Sequence, residues 1–208
     1  MTYHSESGQD QWLEENIFKG LTGGVYAEAG ALDGILHSNT LFFEKERGWN
    51  GVLVEANPAL VPTLRANRPY ADVFGCALGA KKGTADFEAV VGGLVGWSGL
   101  VDHIEPQHRQ RMDERIPQAY RGVTKVEVRT LADVLDEADV RFVDYLSLDL
   151  EGAELAVLEK FPFDVFHIDM IGVEDNFGNK ALAELLSHRG YAHLARVGQD
   201  EMWRRGDK

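Results

Sequence analysis

Several apolar runs in this chain end in a carboxylate, and a charge at the end of a buried strand needs a partner. Val25-Tyr-Ala27 is followed by Glu28, Val52-Leu-Val54 by Glu55, Tyr145-Leu-Ser-Leu148 by Asp149, and Ile171-Gly-Val173 by Glu174. An acid that ends the second strand of a doubly wound sheet sits where a ribose offers its two hydroxyls. Glu55 has that place, and a carboxylate suits it because it only accepts hydrogen bonds and can take both at once.

The turn after the first strand reads Glu28-Ala-Gly-Ala-Leu-Asp-Gly34. Gly30 and Gly34 let backbone rather than side chains face a ligand. The spacing departs from the dinucleotide fingerprint Gly-x-Gly-x-x-Gly. Glu28 and Asp33 would repel a pyrophosphate, whereas an ammonium or a sulfonium would be attracted. These residues point away from NAD and ATP and toward S-adenosylmethionine, which carries a ribose and both cations.

A second acidic group follows Asp149: Glu151, Glu154 and then Glu174-Asp-Asn176. Adjacent parallel strands lie about 4.8 Å apart, so Asp149 and Glu174 are expected side by side at one sheet edge. Two such carboxylates repel unless a proton or a cation lies between them. Two readings stand. Oxygen ligands from Asp149, Glu174 and Asn176 suit Mg²⁺ or another hard divalent ion, which would acidify a substrate hydroxyl. Without metal, Asp149 or Glu174, with Glu151 nearby, is the general base. Glu154 is expected to pair with a basic residue or to cap. None of the seven histidines has the spacing of a zinc site. His37, His103 and His108 are alternative bases, each balanced against a plain packing role. Trp97, in a glycine-rich loop, is expected to stack on a sugar ring or to anchor that loop.

These groups require an alternating α/β frame. Strands are predicted at 25–28, 51–55, 72–76, 142–149 and 168–174, with a closing antiparallel pair at 191–196 and 201–204. Helices are predicted at 10–19, around 39–45, from Asn57-Pro58 to about Asn67, from a Thr130 cap to about Ala138, at 151–160 and at 180–189. The rhythm breaks at 79–129, where strand-like Thr84 to Val91 and Lys125 to Arg129 flank a glycine-rich loop and a charged stretch. That segment reads as an inserted ribbon carrying a lid. The basic run His108-Arg-Gln-Arg-Met-Asp-Glu-Arg115 is interleaved with acids and reads as a solvated helix face.

The chain has 208 residues, 44% of them hydrophobic, and a formal charge of −13. It reads as one domain, with no membrane-spanning run, and the charge argues against nucleic acid as a partner. The opening residues lack the basic and then apolar segments of a signal peptide. A single cysteine, Cys76, leaves no internal disulfide, and a cytoplasmic location is expected. A homo-oligomer is compatible with the sequence.

Gly8-Gln-Asp10, Glu28-Ala-Gly-Ala-Leu-Asp-Gly34, Ser38-Asn-Thr40, Phe43-Glu-Lys45, Gly48-Trp49, Val54-Glu-Ala-Asn-Pro58, Asn67-Arg-Pro69, Asp144-Tyr-Leu-Ser-Leu-Asp-Leu-Glu-Gly-Ala-Glu154 and Val173-Glu-Asp-Asn176 together resemble the FkbM-type S-adenosylmethionine-dependent methyltransferases. The resemblance runs from about residue 8 to the C-terminus. It implies a class I methyltransferase (Rossmann-like) fold: a seven-stranded, mostly parallel sheet with a reversed last strand and helices on both faces. It further implies methyl transfer, usually to oxygen, on a small molecule or glycan. Methylation of a small amine, and a cofactor-binding module without catalysis, are the competing readings.

On this reading Glu28, Gly30 and Gly34 surround the methionine part of the cofactor. Asp33 faces its ammonium or caps a helix, and Ser38 and Asn39 donate to its carboxylate or cap a helix. Glu55 holds the ribose, Ala56 and Asn57 lie along the adenine, and Ala77 and Leu78 cover its other face.

Overall fold

The computed structural model describes residues 1–206. Its main sheet is built from β1 (Val25–Ala29), β2 (Asn50–Val54), β3 (Asp72–Phe74), β8 (Phe142–Leu148), β9 (His167–Glu174), β10 (Tyr191–Val197) and β11 (Asp200–Arg205). They lie in the order β10-β11-β9-β8-β1-β2-β3. β1 pairs in parallel with both β2 and β8, and β8 with β9, whereas β11 runs antiparallel to β9 and to β10. The seven strands and the reversed last one are those expected. The chain leaves β1 toward β2 on one side and later returns to β8 on the other. Their carboxyl ends therefore flank the switch point at which α/β sheets bind ligands.

Alternation along the strands divides the core. Ala27, Ala29, Leu146 and Leu148 pack on one face, with Val134 and Leu135 of α5 (Leu131–Glu137), Leu158 of α6 (Glu154–Glu159) and Leu186 of α7 (Lys180–His188). Tyr26 and Tyr145 point the other way, into an aromatic cluster with Leu13 of α1 (Gln9–Leu13), Phe42 and Phe43 of α2 (Leu41–Arg47), Trp49, and Leu64 of α3 (Val61–Asn67). Thr130 caps α5 as predicted. Its side chain accepts from the Asp133 amide while Asp133 accepts from the Thr130 amide.

The irregular segment contains β4 (Ala77–Leu78), β5 (Gly83–Val90), β6 (Gly99–Leu100), α4 (Pro106–Arg115) and β7 (Arg121–Arg129). β5 and β7 form an antiparallel ribbon from Gly83↔Val128 to Val90↔Arg121, which is the ribbon expected from the sequence. β6 and β4 extend it into a second sheet of order β4-β7-β5-β6.

Some boundaries differ from expectation for local reasons. Residues 58–60 form a turn closed by Asn57 Oδ1, which accepts from the Ala59 amide at 3.1 Å, so Pro62 rather than Pro58 occupies the first turn of α3. Glu151 at φ 52° and Gly152 at φ 113° hold a left-handed loop, so α6 begins only at Glu154. The opening helix is also interrupted, passing at Glu14–Phe18 into a wider π-type coil.

Candidate active site

The crevice at the carboxyl ends of β1, β2, β8 and β9 has two connected chambers. The inner one, about 560 Å³ including its solvent-facing mouth, lies between Glu55, Ala56, Cys76, Ala77 and Leu78 on the sheet side and Phe87, Ser98 and Leu100 of the inserted segment. The outer one, about 1480 Å³ on the same measure, is walled by Glu28, Asn39, Asp149, Glu151, Glu174 and α4. Gly30, Leu32, Val95, Gly96 and Asp149 line both. The inserted segment thus roofs the crevice, as a lid would.

Glu28 organises the turn from within. Its Oε1 accepts from the Asn39 amide at 2.8 Å, and its Oε2 accepts from Ser38 Oγ at 2.8 Å and Thr40 Oγ1 at 2.6 Å. Arg68, completely buried, supplies the counter-charge: Nε donates to Glu44 Oε2 at 2.8 Å and Nη1 lies 3.9 Å from Glu28 Oε2. Arg68 also donates to the Gly34 carbonyl, Ser38 Oγ and Thr40 Oγ1. Gly34 therefore makes room for Arg68 rather than for a ligand, since a β-carbon there would collide with the Arg68 and Leu64 side chains.

Of two further residues of the turn, Asp33 departs from expectation and Ser38 takes the second of the roles expected for it. Asp33 accepts from the Ile35 and Leu36 amides at 2.9 and 2.8 Å, closing its own loop instead of facing the crevice. Ser38 Oγ donates to Glu28 and accepts from the Leu41 amide at 3.1 Å at the start of α2, which is the capping role also expected for it. Asn39 does reach the crevice, but with a different atom. Its Nδ2 donates to Ser147 Oγ at 2.9 Å and Asp200 Oδ2 at 3.4 Å, leaving the buried Oδ1 without a partner. Because an ionised Asp200 can only accept, the amide orientation follows from the network. The atom of Asn39 left without a protein partner is thus an acceptor, of a kind that suits an ammonium and not a carboxylate.

Glu55 stands at the inner chamber. Its oxygens accept from the Leu32 amide at 2.8 Å and the Asn57 amide at 2.6 Å, and burial pushes its carboxyl up to about 7. Each oxygen keeps a lone pair for a further donor. Ala56, Ala77 and Leu78 line the chamber, while Asn57 is turned into the loop before α3.

Across the crevice, Asp149, Glu151 and Glu174 each bring a carboxylate oxygen within 4.8 Å of the others. Desolvation by the crevice walls and repulsion from neighbouring carboxylates raise the carboxyls of Asp149 and Glu174 above the usual range, although Asp149 stays exposed and Glu174 only half-buried by surface area. Carboxylates this close repel one another unless a proton or a cation lies between them. Glu151 is raised by burial and by Asp149. Glu154 accepts from the Leu150 amide at 2.7 Å and from the Gly152 amide, as a cap, and stays outside the group whose oxygens converge. Asn176 lines the same chamber.

Other contributors carry little sequence signal. His108 Nδ1 lies 3.4 Å from Glu151 Oε2 and Nε2 is 3.3 Å from the Trp97 carbonyl. Arg111 and Arg115 are exposed, in keeping with the solvated-face reading of 108–115, and they also line the outer chamber, so that face of α4 borders the crevice. The buried Asp200, pushed up to about 6 by burial, receives Gln9 Nε2 at 3.2 Å. Gln9 and Arg68 fall in the strings Gly8-Gln-Asp10 and Asn67-Arg-Pro69, the only hint of either in the sequence.

Strand order, crevice and acidic strand ends define the class I methyltransferase fold. The crystal structure of Methyltransferase FkbM from Methylobacillus flagellatus KT superposes with a TM-score of 0.52 at 13% identity, covering 88% of this chain and 43% of that one. The METTL16 MTase domain gives 0.50 at 13% identity over 95% of this chain and 66% of that one. Sp1610 of Streptococcus pneumoniae gives 0.50 at 9% identity, with 95% and 69% covered. The chain thus spans less than half of the first of these and about two thirds of the second. No curated protein matches it. The profile of the Methyltransferase FkbM domain matches residues 28–192, from the first crevice acid into β10. The chain belongs to the FkbM methyltransferase domain family.

Proposed function

We propose that this chain is an S-adenosylmethionine-dependent methyltransferase acting on a hydroxyl of a small molecule or glycan. The observation that carries this reading is the paired-chamber crevice. An apolar slot with Glu55 at its wall opens into a polar chamber lined by Asn39 on one side and by Asp149 and Glu174 on the other. The cofactor fits this layout by chemistry: Ala56, Ala77 and Leu78 toward adenine, Glu55 toward the ribose hydroxyls, Asn39 toward the ammonium. When bound, it supplies an electrophilic methyl group on a sulfonium. The residues of the chain fix the acceptor, exclude water through the lid, and take its hydroxyl proton onto the Asp149–Glu174 pair. The two raised carboxyls suit that task, because a more basic carboxylate is a stronger proton acceptor.

A second reading rests on the oxygens of Asp149, Glu151 and Glu174 lying within 4.8 Å of one another. With Asn176 nearby they would suit Mg²⁺, which would polarise the acceptor hydroxyl. The charge of −13 favours a small acceptor over nucleic acid. No helix among the described residues is long and apolar enough to cross a membrane, and action in the cytoplasm as a single domain is part of the proposal. Titration calorimetry with S-adenosylmethionine, followed by methyl-transfer assays over hydroxyl and amine acceptors, tests it. Absence of cofactor binding overturns it, and exclusive transfer to amines overturns the oxygen assignment.

A further inference from the structure

Helix α4 brings to the outer chamber two arginines that the chemistry above does not use. Arg111 and Arg115 are one turn apart and share a helix face. Both line the chamber that Asp149, Glu151, Glu174 and Asn176 also line. Acidic partners abound, with 34 Asp and Glu against 21 Lys and Arg. The neighbouring Arg109 and Arg121 both pair with Glu88. Among the described residues Arg111 and Arg115 take no such partner. Each is instead stacked, Arg111 at 4.9 Å from the Phe177 ring centroid and Arg115 at 5.8 Å from that of Trp97. A cation held over a ring is restrained by it, and with no acid taking its N–H groups the guanidinium can still bond oxygens.

Position separates this pair from the cofactor-facing residues. Phe177 follows β9, whereas Asn39 and Glu55 serve the ends of β1 and β2. β8 lies between β9 and β1, so those strand ends stand about 10 Å apart. An oxyanion brought toward three carboxylates would be repelled unless cations met it, and these are the cations in that chamber that have no acid of their own.

We propose that the methyl acceptor is itself an acid, bearing a carboxylate or phosphate that Arg111 and Arg115 clamp while its hydroxyl meets Asp149 and Glu174. This inference rests on the methyltransferase reading and narrows its substrate class. It accounts for an arginine pair built into the acidic side of an acidic protein's crevice.

The test is calorimetric. Protein saturated with S-adenosylhomocysteine is titrated with glucose, glucuronate and glucose 6-phosphate, and the series is repeated on the R111Q/R115Q double variant. Both arginines are exposed, and a thermal melt checks that the variant folds. At least one anionic sugar is expected to bind tenfold or more tightly than glucose, with the preference abolished in the variant. Which anion benefits separates a carboxylate source from a phosphate source. Equal binding of all three sugars, or a preference that survives in the variant, overturns the inference. So does a variant that loses S-adenosylhomocysteine, because the arginines would then hold the cofactor. If the wild-type protein binds no S-adenosylhomocysteine, the methyltransferase reading fails instead. The same sugar titrations without it still read the anion site.

Discussion

Gly30 packs directly against the backbone of Asp149: a β-carbon on Gly30 would overlap the Asp149 carbonyl oxygen. The Asp149 amide meanwhile donates to the Ala29 carbonyl at 3.1 Å. The turn on the cofactor side and the acid on the acceptor side are thus one rigid unit at the switch between β1 and β8.

Gly30→Ala is expected to destabilise the fold by about 3 kcal/mol or more, since it combines a steric overlap with φ of 85°. Urea denaturation reads the loss. A variant as stable as wild type would contradict the close approach.

Arg68→Met is expected to cost about 3–5 kcal/mol, because Glu28 and Glu44 would be left facing a buried apolar side chain. Arg68→Lys recovers only part of this, as one ammonium cannot reach Glu44, the Gly34 carbonyl, Ser38 and Thr40 together. Denaturation midpoints of the two variants decide it, and full rescue by lysine would count against the hub.

Glu55→Ala should weaken S-adenosylmethionine binding tenfold or more through loss of charge-assisted hydrogen bonds. With the carboxyl pushed up to about 7, the ionised form needed for two donors is gained across neutral pH, so wild-type affinity should rise from pH 6 to pH 8. Calorimetry at both pH values shows whether it does. A flat profile, or unchanged affinity in the variant, removes Glu55 from the ribose.

Glu174→Gln should lower kcat by about 10²-fold or more while leaving cofactor affinity within a few-fold, if the Asp149–Glu174 pair takes the hydroxyl proton. On that reading EDTA leaves turnover unchanged. Loss of activity in EDTA with recovery in Mg²⁺ would transfer the role to a metal held by the same oxygens.

Stability of the ligand-free protein should fall as pH rises. The folded carboxyls of Glu55 and Glu154 are pushed up to about 7 and that of Asp200 to about 6, each by burial. A group raised in the folded state binds more protons there than in the unfolded chain. Its stabilisation is therefore complete below the unfolded value near 4 and lost through pH 6–7. The urea midpoint should accordingly be higher at pH 5 than at pH 8, and the reverse order would show that these acids are not buried as described.

The sequence by itself determined the strands, their terminal acids, the Thr130 cap and the ribbon of 79–129. Each is encoded locally, in an apolar run, a capping side chain or a break in the α/β rhythm. It also placed Asp149 beside Glu174, because consecutive parallel strands usually pair. Only the tertiary structure decided what each polar atom faces. Asn39 can donate or accept, and Asp200, 161 residues away, fixes which. Gly34 and Asp33 looked like ligand contacts until Arg68 and the loop amides claimed them. The orientation of α4 was hidden for a related reason. Pro106–Arg115 has Met112 as its one large apolar residue, so no periodicity marks its inner side, and Trp97, Glu151 and Phe177 select the face that meets the crevice. Local pattern carries burial, whereas the partner of a polar group depends on residues far along the chain that only folding brings within hydrogen-bonding distance.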